Sequence, residues 1–140
     1  MTTYFTFLVA IIVVIAADQA IKTLIIYRAR TRFQFLGSTV IRVVLNRNSR
    51  RQINSPSLLV GLWVIEVMIL SLLARCEPWS HSQWAQTAFG IVVGGVTANL
   101  TDQLWRDGIV DFIDLRIWPV FNIADLAIVV GASGVVMSAV

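Results

Sequence analysis

The chain has 140 residues, of which 57% are hydrophobic and only 14% are charged, and its formal net charge at pH 7 is +3. A soluble domain is about 45–50% apolar and about 25% charged, and a small globule has too little interior to bury such an apolar excess. The composition therefore excludes an ordinary soluble domain and predicts an integral membrane protein.

Four apolar stretches follow one another, and each is compatible with a membrane-spanning helix. The first begins at Tyr4 and must continue to Tyr27 to reach the roughly 20 residues that a span requires. A signal peptide would begin with basic residues, and "MTTYFTF" has none, so we interpret this stretch as a retained helix. The predicted spans are 4–27, 57–74, 84–100 and 122–139.

Two polar segments, 28–56 and 101–121, join these spans, and with four spans both lie on the side of the membrane opposite the termini. Residues 39–47 (TVIRVVLNR) are rich in β-branched side chains and predict a strand. No internal repeat or low-complexity tract divides the chain. We predict a single integral membrane domain over residues 1–140, an all-α fold of four transmembrane helices with a small β-rich region in the first long loop.

Small residues recur four positions apart in the third and fourth spans. This spacing puts them on one face of a helix and lets neighbouring backbones approach closely. It predicts helix packing and indicates nothing about activity. The pairs are Gly90 and Gly94, Gly95 and Asn99, and Ala127 and Gly131.

Eight of the eleven Lys and Arg residues lie between Lys22 and Arg51. Beside membrane spans such a cluster indicates anionic lipid headgroups, so we predict contact with membrane lipids and no nucleic-acid partner. Cytoplasmic loops carry the excess of positive charge in membrane proteins. The cluster therefore favours an orientation with both termini outside the cell.

The single cysteine, Cys76, and the single histidine, His81, lie in one short polar segment. One residue of each type makes neither an internal disulfide nor a metal site. We interpret both as ordinary loop residues in preference to a Cys–His nucleophile pair, and we predict no metal and no cofactor.

Acidic residues in or beside a span are costly to place near lipid, so each is a candidate for function. Asp18 and Lys22 are four residues apart and can pair on one helix face, which allows an interfacial ion pair as the structural alternative. Glu66, in the second span, has no local partner. It is either structural or, together with Asp125, part of a cation path in a small transporter or channel.

Asp125 lies in the first turn of the fourth span, after Asn122, which is a possible N-cap. Asp111 precedes it by fourteen residues across the last loop, so the two carboxylates can meet. Such a pair shares one proton: the ionised member takes a proton from a bound water, and the protonated member polarises a carbonyl and protonates the leaving amine. This chemistry hydrolyses a peptide bond, although the spacing alone does not specify it.

Three motifs occur in order within residues 94–131: Gly-Gly-x-x-x-Asn followed by an Asp, then Val-Asp-Phe, then Phe-Asn-x-Ala-Asp. Together with DQAIK at residues 18–22, they resemble the type II (lipoprotein) signal peptidases, a family of aspartic membrane peptidases. The resemblance implies that Asp111 and Asp125 are catalytic. The residues at supporting or substrate-binding positions are Asp18, Lys22, Asn48, Asn99, Asp102, Gln103 and Asn122.

Such enzymes cut prolipoprotein signal peptides just before a lipid-modified cysteine. The resemblance therefore implies an endopeptidase that acts on diacylglyceryl-modified prolipoproteins, and we expect a monomer. It also implies a multi-pass protein of the bacterial cytoplasmic membrane whose active site and β-rich loop lie near the outer face. This orientation reverses the one that the basic cluster favours. We prefer it because it places both aspartates beside the substrate, and the arginines of the first loop can bind anionic lipid from outside.

Two positions depart from the pattern of the family. The family has an Arg-Asn-x-Gly-Ala-Ala-Phe motif in its first loop, whereas here SRRQ follows Arg47 and Asn48. An arginine usually follows the Asp of the third-span motif, whereas here Gln103 follows Asp102, and glutamine lacks the charge and the forked donors of arginine. These departures leave an alternative open: a catalytically impaired relative that binds lipoproteins or lipid without cleaving them.

Overall fold

Three helices and two strands are defined within the part of the chain that the computed structural model describes. The described residues are 2–31, 41–46, 82–106, 108–115 and 117–138, with positions 57, 60, 61, 63–65, 67 and 68. In chain order the elements are α1 (Thr2–Thr31), β1 (Ile41–Asn46), α2 (Gln83–Trp105), β2 (Ile109–Ile113) and α3 (Ile123–Ser138).

Helix α1 contains neither glycine nor proline, so nothing in its sequence interrupts the backbone hydrogen bonds that a chain in lipid must make internally. Its segment Tyr4–Tyr27 has 24 residues and a mean hydropathy of 2.2. Among the described helices, it is the one long and apolar enough to cross a membrane; α3 is apolar but shorter, with 16 residues. The helix predicted for residues 4–27 is confirmed.

Helix α2 packs between α1 and α3, and its glycines let the backbones approach. A Cβ atom on Gly90 would lie 2.5 Å from the carbonyl oxygen of Phe7 on α1. On the side facing α3, a Cβ atom on Gly95 would lie 2.6 Å from the carbonyl oxygen of Ala124. The close packing predicted from small residues is therefore confirmed at these two contacts.

The described bundle buries a polar group together with mostly small apolar residues and exposes large apolar side chains. Charged and polar side chains from α1, α2 and the start of α3 are fully buried together, whereas large apolar side chains point outward. A bundle surrounded by lipid has this arrangement, because lipid chains compete with apolar side chains for contact and small or polar residues hold the helices together. The fully buried polar residues are Asp18, Lys22, Asp102 and Asn122, and the exposed apolar residues include Phe5, Ile12, Val129, Val136 and Met137.

Strands β1 and β2 form a two-stranded antiparallel sheet in which Val44 lies opposite Asp111. The strand predicted within residues 39–47 is confirmed, and the remainder of the predicted β-rich region lies outside the described residues. The segment 101–121, predicted as a polar connection between the third and fourth spans, contains ordered elements that were not predicted. Helix α2 continues to Trp105, and β2 then begins at Ile109.

The chain turns back directly after β2. The amide of Phe121 donates to the carbonyl oxygen of Ile113 at 3.0 Å, and the amide of Ile113 donates to the carbonyl oxygen of Phe121 at 2.8 Å. This paired bridge holds residues 113 and 121 side by side. Asn122, the next residue, is therefore placed beside β2 just before α3 begins.

The remaining predicted spans are described to different extents. The described positions between 57 and 68 are helical, and the indole nitrogen of Trp63 donates to the Thr97 hydroxyl oxygen at 3.1 Å, so this segment contacts α2. The rest of the span predicted for 57–74 lies outside the described residues, and the count of four transmembrane helices stays a prediction. Helix α3 begins and ends within one residue of the span predicted for 122–139.

Candidate active site

The start of α3 is fixed by reciprocal hydrogen bonds between Asn122 and Asp125. The side-chain oxygen of Asn122 accepts from the amide of Asp125 at 2.9 Å, and the Asp125 Oδ2 atom accepts from the amide of Asn122 at 3.1 Å. This is a capping box, in which each residue satisfies an amide that the helix itself leaves free. The predicted N-cap at Asn122 is confirmed, and the cap also orients the Asp125 carboxylate.

Two asparagines connect the two predicted catalytic carboxylates. The Asn122 side-chain nitrogen donates to Asp111 Oδ1 at 2.8 Å and to Asn99 Oδ1 at 3.0 Å. The Asn99 side-chain nitrogen donates to Asp125 Oδ1 at 2.8 Å. Asp111 from β2 and Asp125 from α3 thus both bind Asn122, and the structure brings them to the same end of the bundle.

A second group, which we call the Lys22 cluster, lies directly behind these asparagines. It consists of Lys22 and its three acceptors: the ammonium lies 2.6 Å from Asp18 Oδ2, 2.8 Å from Asp102 Oδ2 and 3.3 Å from Asn99 Oδ1. Three acceptors match the three donors of an ammonium group. The predicted pairing of Asp18 with Lys22 is confirmed.

The two carboxylates of the Lys22 cluster also hold the main chain beside the predicted catalytic residues. Asp102 Oδ2 accepts from the amide of Val110, which immediately precedes Asp111, at 3.1 Å. Asp18 Oδ1 accepts from the amide of Ala124, which immediately precedes Asp125, at 3.0 Å. Lys22 bridges these two contacts, so one buried ion pair network sets the position of both strand β2 and helix α3.

Two residues of this site were not predicted from the sequence. The Arg106 guanidinium pairs with Asp102 Oδ1 and donates to the Gln19 side-chain oxygen at 2.6 Å. The Gln19 side-chain nitrogen donates to Asp102 Oδ1 at 2.9 Å. With Arg106 the two buried acids, Asp18 and Asp102, face two cations, which balances their charge. The spacing of Arg106, four residues after Asp102, was the available signal, because such pairs share a helix face.

Gln103 is 7% exposed, and its side-chain oxygen is buried without a hydrogen-bond partner among the described residues. It lies on α2, directly after Asp102 and four residues after Asn99. The structure therefore places all but one of the predicted site residues at one end of the bundle. Asn48 lies outside the described residues, as do Arg47, Glu66, Cys76 and His81.

No group of three or more His, Cys, Asp or Glu side chains in the described part of the chain is arranged to hold a metal ion. The arrangement offers instead a pair of carboxylates held by amide donors. The expected absence of a metal and of a cofactor stays a prediction.

Comparison with known proteins decides the family. The family model described as signal peptidase (SPase) II matches residues 10–140. The chain belongs to the signal peptidase II family. The resemblance seen in the sequence motifs is thereby confirmed, and the chain is an enzyme of the aspartic peptidase class.

Two relatives in the signal peptidase II family each match 89% of this chain. A lipoprotein signal peptidase of Moorella thermoacetica is 35% identical over 134 residues, which cover 89% of this chain and 86% of the relative. A lipoprotein signal peptidase of Halothermothrix orenii is 29% identical over 128 residues, covering 89% and 88%.

Solved structures share the fold of this signal peptidase II chain. A bacterial membrane enzyme determined by the in meso method at 1.9 Å matches with a TM-score of 0.73 and 21% identity, covering 95% of this chain and 91% of that one. A second, determined at 2.3 Å, has a TM-score of 0.68 and 24% identity, covering 95% and 86%. The family assignment and the apolar helix α1 support a membrane location, and the family assignment leaves the cation-path hypothesis without support.

Proposed function

We propose that this chain is a membrane aspartic endopeptidase that removes the signal peptide of lipid-modified prolipoproteins, cutting just before the diacylglyceryl cysteine. The observation that carries the proposal is that Asp111 and Asp125, from separate segments, both bind Asn122. The names of its relatives, which are lipoprotein signal peptidases, supply the substrate class.

In the proposed reaction the two aspartates act as an acid and a base on one peptide bond. The ionised carboxylate takes a proton from a water molecule as that water attacks the scissile carbonyl carbon. The protonated carboxylate donates a hydrogen bond to the carbonyl oxygen and so stabilises the tetrahedral intermediate. As the C–N bond breaks, the carboxyl group that took the proton from water gives it to the leaving amine. The pair then holds one shared proton, as it did at the start.

The buried contacts around the pair support this chemistry because acid–base catalysis needs groups held within hydrogen-bond reach. Asp125 accepts hydrogen bonds on both oxygens, from Asn99 and from the amide of Asn122. The amides beside both aspartates are held by the buried acids Asp102 and Asp18. A site fixed in this way does not have to reorganise when the substrate binds.

Exposed apolar side chains near the same end of the bundle support a site at the membrane surface. Trp105, at the end of α2, is 81% exposed, and Trp118, in the segment after β2, is 69% exposed. Tryptophan is enriched at membrane–water interfaces. We place the site near the outer face of the bacterial cytoplasmic membrane, where membrane lipids and the diacylglyceryl chains of the substrate meet these residues.

The test is cleavage of a synthetic diacylglyceryl-modified prolipopeptide by the purified full-length protein in detergent. We expect cleavage by the native chain, and no detectable cleavage by Asp111→Asn or Asp125→Asn at an unchanged melting temperature. The matched control is Asp114→Asn, the same chemical change three residues from Asp111, which should retain activity.

Cleavage by either Asn variant at the native rate would reject the pair as the catalytic residues. Binding of the lipopeptide by the native chain without cleavage would instead select the impaired relative that binds lipoprotein or lipid only. The test therefore separates the two functions.

A further inference from the structure

Arg106, at the end of α2, binds one member of the Lys22 cluster and reaches across to α1. Its guanidinium pairs with Asp102 Oδ1 and donates to the Gln19 side-chain oxygen at 2.6 Å and to the Thr23 hydroxyl oxygen at 3.3 Å. Gln19 and Thr23 belong to α1, whereas Asp102 belongs to α2. The forked donors of a guanidinium suit acceptors on two helices, so Arg106 ties the end of α2 to α1.

Asp102 divides its two oxygens between two sets of donors. Oδ1 accepts from Arg106 and, at 2.9 Å, from the Gln19 side-chain nitrogen. Oδ2 accepts from the Lys22 ammonium at 2.8 Å and from the amide of Val110 at 3.1 Å. Together these contacts use the roughly four lone-pair sites of a carboxylate. The donors on Oδ1 therefore set the direction in which Oδ2 points.

The Oδ2 contact leads directly to the carboxylate pair. Val110 is 2% exposed and immediately precedes Asp111 in β2. Asp111 in turn accepts from the Asn122 side-chain nitrogen at 2.8 Å. If Asp102 turned away, the buried amide of Val110 would lose this acceptor at a cost in free energy, and the strand that carries Asp111 would be released. The position of Asp111 thus depends on how Asp102 is held.

We infer that Arg106 is a positioning residue for the proposed reaction: it holds the Asp102 carboxylate on the amide of Val110 and so keeps Asp111 in place. This inference rests on the proposed function and adds to it a residue that acts through others. Asp111 works in the bond-breaking step. Loss of Arg106 should therefore lower kcat and leave KM nearly unchanged, the pattern of a defect in the transition state alone.

The kinetic test is cleavage of the synthetic lipopeptide by Arg106→Met, measured well below the melting temperature of the variant. We expect kcat to fall about tenfold to a hundredfold, the effect of a small misplacement of a reacting group, and KM to stay within about twofold of the native value. Arg106→Lys retains the charge but not the fork of donors, so its kcat should lie between those of the native chain and Arg106→Met.

A second variant acts on Arg106 from the α1 side. Thr23→Val removes one acceptor of the guanidinium and leaves Asp102 and Gln19 in place, so kcat should fall in the same direction by a smaller factor. The matched control is Thr87→Val, the same change at a threonine whose hydroxyl donates to the carbonyl oxygen of Gln83 in its own helix. Thr87→Val should keep the native kcat.

Exchange of two amide hydrogens separates positioning from a general loss of stability. The amide of Val110 donates to Asp102, whereas the amide of Ala124 donates to Asp18. NMR of the full-length protein in detergent micelles can follow both amides. In Arg106→Met, exchange at Val110 should be about tenfold faster than in the native chain, while Ala124 keeps its native rate. A general destabilisation would accelerate both.

Three results would overturn the inference and leave the proposed function intact. They are a native kcat in Arg106→Met, a lower kcat with equal acceleration of exchange at Val110 and Ala124, and a higher KM at a native kcat. The second would make Arg106 a structural residue, and the third would place it in substrate binding. If the native chain does not cleave the lipopeptide, the proposed function fails, whereas selective exchange at Val110 would still show that Arg106 holds β2.

Discussion

Asn122 is the residue on which the geometry of the carboxylate pair depends. Its side chain combines two tasks: the oxygen caps α3, and the nitrogen donates to Asp111 and to Asn99. Its backbone amide in turn orients Asp125. Asn122 contacts both carboxylates. A substitution that keeps the cap of α3 but removes the side-chain nitrogen therefore measures what the hydrogen bond to Asp111 contributes to catalysis.

Asn122→Ser retains a good N-cap but removes the donor to Asp111. Serine and asparagine cap helices about equally well, so the change at the cap itself should cost less than about 1 kcal/mol, and the lost hydrogen bonds to Asp111 and Asn99 lower the melting temperature further. A hydrogen bond to a charged group is worth about 1.5–3 kcal/mol, so we expect kcat to fall about tenfold to a hundredfold. Steady-state kinetics and a thermal melt of the same preparation check this. A native kcat in Asn122→Ser would contradict the positioning role.

Lys22→Met tests whether the Lys22 cluster holds the fold together. The substitution leaves Asp18 and Asp102 facing each other without the cation between them, and both are fully buried. Breaking a buried ion pair in this way costs about 3–5 kcal/mol. We expect a large drop in melting temperature in detergent and loss of activity.

The comparison for Lys22→Met is Arg106→Met, because the Arg106 side chain is 23% exposed and pairs with the same Asp102. Water near Arg106 compensates part of the loss, so the melting temperature should fall less. Equal melting temperatures for the two variants would show that burial of the Lys22 cluster is not what stabilises the bundle.

The local rules of helix formation predicted the helical features of this fold better than its sheet. The N-cap at Asn122 and the ion pair of Asp18 with Lys22 follow from residues within four positions of each other, and both were predicted. Strand β2 was missed because its partner is β1, more than sixty residues away in the chain. Five residues, of which four are apolar and one is Asp111, carry no local signal that separates a strand from a connection.

The sequence predicted which residues of a helix allow close packing, but it did not predict which helices pack together. Four-residue intervals identify a helix face that allows close approach, but they do not say which helix packs against it. In the structure Gly90 faces α1 and Gly95 faces α3, so the two faces of α2 serve different partners. The position of the site, between all three helices, follows from that division.

Gly95→Ala should damage both packing and activity. The added Cβ atom would lie 2.6 Å from the carbonyl oxygen of Ala124, which is backbone and immediately precedes Asp125. Overpacking of this kind costs about 1–3 kcal/mol, so we expect a lower melting temperature and a lower kcat. The control is Gly61→Ala, since no atom of the described residues lies within 4 Å of a Cβ atom there. A native melting temperature for Gly95→Ala would show that α2 and α3 can separate without cost.

Across the bundle as a whole, composition predicted the membrane class, and the structure supplied the reason for the buried acids. Charges that would be costly in lipid are grouped inside, where Lys22 and Arg106 offset Asp18 and Asp102. The sequence alone could not settle orientation. The distribution of basic residues favours one orientation of the chain in the membrane. The family resemblance, which puts the substrate and the carboxylate pair at the outer face, favours the opposite orientation.

The single cysteine of the chain makes the orientation measurable. Cys76 lies between the second and third predicted spans, a connection that the four-span prediction puts on the side of the termini, and Trp118 lies between β2 and α3. With the site outside, a membrane-impermeant maleimide should label Trp118→Cys, made in a Cys76→Ser background, in intact cells. It should label Cys76 only after permeabilisation, because the reagent cannot reach the cytoplasm. The reverse pattern would follow the basic residues and would place Asp111 and Asp125 on the cytoplasmic side, away from a substrate at the outer face.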